Sequence, residues 1–212
     1  IAIVTGSNTG LGFETAKALA EKEAKVILAC RNLQKAEVAK NDIIQAVPNA
    51  DIDIIQIDLS KLSSVRQFAK DFLAQYNQLD LLINNAGVMM PPYSKTEDGF
   101  ELQMGANHFG HFLLTGLLLD TMLATPNSRI VALSSIAHKR GEIQFEDLHW
   151  EKKYKKMPAY AQSKLANLMF ALELNRRLKT KEGHSCIAVA AHPGVSNTEL
   201  ARHFPKLLVW VL

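Results

Sequence analysis

Six short runs of the chain are predominantly apolar and rich in Val, Ile or Leu: residues 1–4, 25–29, 52–57, 79–83, 129–133 and 186–191. Runs of this length with little strict alternation predict strands buried on both faces. Between them, apolar positions recur at three- and four-residue spacing over 11–23, 33–46, 62–76, 99–123 and 158–181, which predicts helices. Strand and helix alternate from end to end. The pattern therefore predicts an α/β fold: a parallel sheet, helices on both of its faces, and right-handed crossovers. No repeat, low-complexity tract or linker interrupts it, so residues 1–212 are expected to form a single domain.

One connection breaks the rhythm. Residues 137–157, "AHKRGEIQFEDLHWEKKYKKM", are charged and aromatic and too many for an ordinary turn. Ligands of open α/β sheets sit at the carboxyl ends of the strands, where this connection emerges, so it is expected to wall a pocket.

Composition narrows the function. A chain of 212 residues, 48% apolar, can bury one sizeable core and does not need a second. The net charge of +3 is spread among mixed signs, and the densest basic run is only "KKYKK" at 152–156, so nucleic acid is not an expected partner. Cys30 and Cys186 show neither metal spacing nor a disulfide framework. They read as buried thiols of a reducing, cytoplasmic compartment. The first residue, Ile1, already lies in a strand pattern, so the chain reads as trimmed and the lack of a leader decides little. The final "FPKLLVWVL" is far too short to span a bilayer; it is expected to begin either a substrate lid or a membrane-facing helix.

Chemistry enters where the first strand runs into "TGSNTGLG", residues 5–12, and then into a helix. The amide groups at a positive helix end suit a phosphate. The spacing of Gly6, Gly10 and Gly12 is neither the G-x-G-x-x-G fingerprint nor a P-loop, which argues against nucleoside triphosphate chemistry. Tyr160 and Lys164 stand four apart and share a helix face. An ammonium there is expected to lower the phenol's pKa from about 10 and make it an acid or base near neutrality.

Taken in order, "TGSNTGLG", "NNAG" at 84–87, Asn107, "SS" at 134–135, Tyr160-x-x-x-Lys164 and "HPGVSNT" at 192–198 resemble the short-chain dehydrogenase/reductase family over essentially the whole chain. "ACRN", "NHFGHF", "SSIAH", "FEDLHWEKKY" and "YAQSKLANLMFALEL" resemble its retinol dehydrogenase-like branch, which shares parts of this pattern with protochlorophyllide reductases and WW-domain oxidoreductases. The resemblance implies a Rossmann-type doubly wound sheet whose C-terminal part lies outside this chain. It also implies hydride transfer between NADP(H) and a lipophilic carbonyl or alcohol that is retinoid-, aldehyde- or ketone-like.

Residue by residue, the resemblance makes Tyr160 the proton donor or acceptor, and gives Lys164 both the tuning of that tyrosine and the nicotinamide ribose. Ser135 orients the substrate oxygen, with Ser134 as the alternative, and Asn107 holds a water that relays protons to Lys164. Gly6, Ser7, Asn8, Gly10, Leu11 and Gly12 form the pyrophosphate turn. Asp58 and Leu59 border the adenine, Asn85, Ala86 and Gly87 the ribose side, and Pro193, Gly194, Ser196 and Thr198 the carboxamide. At the end of the second strand, where enzymes that prefer NAD carry an acid, this chain has Cys30 followed by Arg31, whose guanidinium can grip a 2′-phosphate. NADP(H) is the expected cofactor.

Other features carry blander expectations. His108 and His111 lack a carboxylate or cysteine partner in sequence and are read as packing residues, with no metal. His138 and His149, in the long connection, are read as substrate contacts or, more commonly for loop histidines, as solvated residues, and Met89 and Met90 as pocket lining or core filling. A protochlorophyllide reductase-like enzyme and a non-catalytic NADP-binding regulator are the alternative functions; intact Ser135, Tyr160 and Lys164 favour catalysis. A homodimer, and membrane association through segments outside this chain, stay open.

Overall fold

The structure, a computed structural model, describes residues 1–194. Its strands are β1 (Ala2–Thr5), β2 (Val26–Cys30), β3 (Ile52–Gln56), β4 (Leu81–Asn84), β5 (Arg129–Leu133) and β6 (Ile187–Ala191). They form one parallel sheet in the order β3-β2-β1-β4-β5-β6. The helices are α1 (Gly10–Ala20), α2 (Leu33–Ala46), α3 (Leu62–Gln75), the single turn α4 (Leu102–Met104), α5 (Gly110–Ala124) and α6 (Lys156–Lys179). This is the doubly wound Rossmann-type arrangement. Its strand order reverses between β1 and β4, which opens a crevice at the carboxyl ends of the central strands.

Successive strand residues point to opposite faces, and the core divides accordingly. Ile3, Ile27 and Leu82 pack with Phe68, Phe72, Leu114, Leu118 and Met122 of α3 and α5. Val4, Val26 and Leu28 pack on the other face with Ala16, Ala20, Ala36, Ala39 and Ile43 of α1 and α2. Alanines on that side let the helices approach closely. Ile187 and Val189 of β6 remain exposed on the α1–α2 side, which no described helix covers so far along the sheet.

Two predicted helices change shape. The 99–123 segment is not one α-helix: Gly99 sits in a turn at φ +87°, and a π-helical stretch, Gly105–Phe109, separates α4 from α5. Helical periodicity cannot reveal one extra residue in a turn, and such π-stretches concentrate at functional sites. The last helix starts at Lys156, before the predicted Pro158, because proline is tolerated in a first turn, where its missing N–H has no partner to lose.

Candidate active site

β1 delivers the chain into the glycine turn at the crevice. Gly6 and Gly10 adopt φ +65° and +57°, a left-handed backbone that favours glycine. Gly12 is required by proximity: a Cβ there would lie 2.3 Å from the Gly6 carbonyl oxygen and 2.6 Å from Asn85 Nδ2. Thr9 precedes α1 without capping it through its side chain, and the first turn holds no acidic residue, so its amides remain for an anion. Asn8 and Leu11 flank the turn half-buried, whereas Ser7 is buried with its hydroxyl 3.4 Å from Cys30 Sγ.

The "NNAG" segment closes onto this turn through Thr5. The Thr5 hydroxyl accepts the amides of Asn85 (2.9 Å) and Ala86 (3.0 Å), and Asn85 Nδ2 donates to the Thr5 carbonyl at 2.7 Å. Gly87 leads on to Asn107 and Lys164: a Cβ there would stand 3.3 Å from Asn107 Oδ1 and 3.5 Å from Lys164 Nζ. Asn107 lies in the π-stretch. Its Oδ1 accepts Val88 N–H at 2.7 Å and its Nδ2 donates to Val88 O (2.9 Å) and Ser163 Oγ (3.0 Å).

His111 belongs to the same network. Its Nδ1 is 2.9 Å from the Asn107 carbonyl and its Nε2 is 2.8 Å from Thr5 Oγ1. A carbonyl only accepts, so Nδ1 carries the proton and Nε2 accepts from the threonine. Burial pushes this imidazole down to about 4, so it stays neutral across the physiological range. His108 meets Asn167 Oδ1 at 3.1 Å. No cluster of three or more His, Cys, Asp or Glu side chains suited to a metal occurs among the described residues.

The two serines directly after β5 do different work. Ser134 is buried and donates to the Lys164 carbonyl at 2.8 Å, tying the strand to α6. Ser135 caps the 3₁₀ turn Ile136–Arg140 and lies beside the Tyr160 phenol. Tyr160 and Lys164 are 3% and 4% exposed, and Nζ stands 5.8 Å from the centre of the tyrosine ring. Nζ donates to Leu133 O at 3.0 Å.

The expected depression of the phenol's pKa is not what this arrangement produces. Burial pushes Tyr160 up, and the Ser135 hydroxyl draws it partly back. Lys164 is itself driven down to about 8 by burial, because a low-dielectric interior penalises its charge. Desolvation of both partners, which their spacing in the sequence does not reveal, dominates.

The remaining candidates are spread around the crevice. Arg31 is exposed directly after β2 and makes no ion pair among the described residues. Gln34, Lys35 and Val38, which follow it in sequence, line an open recess of about 350 Å³ together with Asn8 and Thr9 of the glycine turn. Asp58 folds its Oδ1 back onto Ser60, accepting the amide at 3.0 Å and the hydroxyl at 2.6 Å, which shapes the entry to α3. Leu59 explains the glycine of "NHFGHF": a Cβ on Gly110 would lie 2.5 Å from the Leu59 carbonyl oxygen. Pro193 and Gly194 follow β6 and are exposed, and Ser196 and Thr198 lie outside the described residues.

The long connection is ordered. It carries the 3₁₀ turns Ile136–Arg140 and Phe145–Asp147 and is bonded to its surroundings at several points. His149 is no solvated loop residue: its Nδ1 accepts Glu101 N–H at 3.4 Å and its ring packs 5.5 Å from Phe100. Sequence reasoning did not single out Thr5, Gln103 or Gln162, all fully buried. The available signal was a hydroxyl or amide side chain placed next to a motif residue inside an otherwise apolar segment.

Comparison with known proteins agrees with this geometry. The short chain dehydrogenase family model matches residues 1–206. Retinol dehydrogenase 11 of Mus musculus is 50% identical over 211 residues, covering all of this chain, which spans 66% of that relative's length. An uncharacterized protein from Mycobacterium Paratuberculosis of known crystal structure is 46% identical and superposes with a TM-score of 0.82 over 95% of this chain and 70% of its own. A short chain dehydrogenase from Shigella flexneri 2a, crystallised in complex with NADP, shares the fold at 24% identity and a TM-score of 0.77, over 97% of this chain and 81% of its own. With the motif residues gathered at the crevice of the matching fold, the chain belongs to the short chain dehydrogenase family, in its retinol dehydrogenase-like branch.

Proposed function

We propose that this chain is the catalytic part of an NADP(H)-dependent oxidoreductase that interconverts a lipophilic carbonyl, retinoid-, aldehyde- or ketone-like, with its alcohol. The observation that carries the reading is convergence. Ser135 and Tyr160 meet at the carboxyl end of β5, while Asn107 and Lys164 border Gly87, beside a glycine turn with unclaimed helix amides. A pyrophosphate fits that turn because glycine leaves the backbone accessible. The 2′-phosphate of NADP suits the exposed Arg31 and finds no acid at Cys30 to repel it. The complex of the Shigella flexneri neighbour with NADP and the name of the mouse relative support the cofactor and the substrate class.

When bound, the nicotinamide donates or accepts the hydride. The protein's own residues handle the proton. Tyr160 gives it from Oη to the carbonyl oxygen in reduction and takes it from the alcohol in oxidation. Ser135, beside that phenol, holds the substrate oxygen in line. Lys164, with its ammonium destabilised by burial, still holds a proton at neutral pH and gives it up more readily than an ordinary lysine, so it can return the proton to Tyr160. Asn107 spends both ends of its amide on Val88, and Oδ1 keeps a second lone pair for the relaying water.

The test is the loss of NADPH absorbance in the presence of aldehydes and ketones, with wild type compared to Tyr160→Phe. The variant should lose turnover while binding NADPH as wild type does. Substantial turnover by the variant would overturn the role of Tyr160. Binding without turnover in the wild type, across the panel, would favour the regulatory reading.

A further inference from the structure

His111 is a polar side chain on a core-facing helix stripe. It is 3% exposed on α5, and its stripe continues at three- and four-residue spacing with Leu114, Thr115, Leu118 and Met122, all buried. A polar group in such surroundings is costly unless its polar atoms are paired. Both ring nitrogens are paired, and in a fixed sense. Nδ1 donates to the Asn107 carbonyl at 2.9 Å, so Nε2 bears no proton and accepts from the Thr5 hydroxyl at 2.8 Å. Burial above all, and then the charge of Lys164, keep the ring neutral.

The Thr5 hydroxyl has one proton and two lone pairs, and all three are engaged. The proton goes to Nε2, because the other acceptor in reach, Ile83 O, is 3.3 Å away. Both lone pairs are left for the amides of Asn85 (2.9 Å) and Ala86 (3.0 Å). Those two residues lie against the glycine turn. A Cβ on Gly6 would stand 2.9 Å from Ala86 Cβ, and one on Gly12 would stand 2.6 Å from Asn85 Nδ2. One hydroxyl thus connects His111 to the backbone that packs on the turn entering α1. An apolar ring at 111 could fill the same volume, but the Thr5 proton would then have only Ile83 O, and turning towards it swings the lone pairs off the two amides. Helix α5 would keep its register, since Thr115 one turn on accepts Asn84 Nδ2 at 2.9 Å and Leu114, Leu118 and Met122 stay packed.

We propose that His111 is a positioning residue for the cofactor: in its Nδ1–H tautomer it orients the Thr5 hydroxyl, which holds Asn85 and Ala86 against the glycine turn. The inference rests on the NADP(H) reading above. Loss of the imidazole acceptor loosens the backbone at 85–86 and weakens NADPH while the protein stays folded.

The experiment measures NADPH dissociation constants by fluorescence titration of the full-length protein. His111→Phe removes the acceptor, His111→Gln supplies one acceptor and one donor again, and Thr5→Val removes the hydroxyl at nearly constant shape. His111→Phe and Thr5→Val should each weaken NADPH by about tenfold, the effect of a hydrogen bond of ordinary strength. The double variant should bind within about twofold of either single variant, because both break the same link. His111→Gln should recover most of the affinity. Without cofactor, amide hydrogen exchange at Asn85 and Ala86 should quicken in His111→Phe, and the imidazole nitrogen NMR shifts of the wild type near neutral pH should report the Nδ1–H tautomer. An Nε2–H tautomer, unchanged NADPH affinity in either single variant, losses that multiply in the double variant, or a glutamine variant no better than phenylalanine would overturn the proposal. Should His111→Phe fail to fold, Thr5→Val and the tautomer decide it. A wild type that binds no NADPH would instead overturn the cofactor reading, and the positioning claim with it.

Discussion

Lys164 lies 4% exposed between β5 and the π-stretch, its ammonium facing one carbonyl oxygen, so replacing it with Met should trade activity for stability. In the folded protein its pKa falls to about 8 from the ordinary 10.5. That gap corresponds to roughly 3 kcal/mol of penalty on the charged form. Below about pH 8 both folded and unfolded states hold the proton, and the native state bears the whole cost. Between about 8 and 10.5 the native lysine releases its proton while the unfolded one keeps it, so stability rises with pH. Above 10.5 the cost is gone. A Lys164→Met side chain of similar length carries no such cost at any pH. It forfeits the bond to Leu133 O, roughly 1 kcal/mol, but that oxygen keeps Asn167 Nδ2 at 3.0 Å and is not orphaned. The variant should be more stable than wild type by about 2 kcal/mol at pH 7, with the advantage shrinking towards pH 10.5. Urea unfolding of both proteins at pH 7, 8, 9 and 10 measures this, and the difference cancels other groups that titrate in the window. A less stable variant at pH 7, or a gap that stays constant with pH, would refute the desolvation argument.

Arg31→Ala should weaken NADPH binding by about ten- to a hundredfold, the worth of a hydrogen bond to a charged group, and leave NADH little changed; equal losses in the two dissociation constants would remove Arg31 from the 2′-phosphate. Gly12→Ala should cost about 1–3 kcal/mol, because a Cβ 2.3 Å from the Gly6 oxygen forces backbone apart. Urea midpoints and NADPH titration should fall together. Asn107→Leu leaves the amide and carbonyl of Val88 without their side-chain partners and should destabilise by about 1–3 kcal/mol or more, whereas Asn107→Asp, which keeps the acceptor, should retain more of the stability in thermal melts.

The fold was legible in the residues because its determinants are local and repeated. Apolar runs at each strand, helical spacing between them, and strict alternation leave few topologies once crossovers must be right-handed. Five of the six strands shift by no more than two residues at either end between pattern and structure, and β5 coincides. The motif residues were equally readable, since Gly6, Gly10 and Gly12 announce themselves by type. What each side chain faces was not readable, because that depends on which elements meet. Only the tertiary structure separates Ser134, bonded to the Lys164 carbonyl, from Ser135 at the phenol, although the two are adjacent and identical. It alone moves His111 from a lone helical histidine to the bridge between Thr5 and Asn107. The pKa values of Tyr160 and Lys164 belong to the same class. Sequence supplies the charge, but the dielectric that tunes it is created by every element packed around the pair.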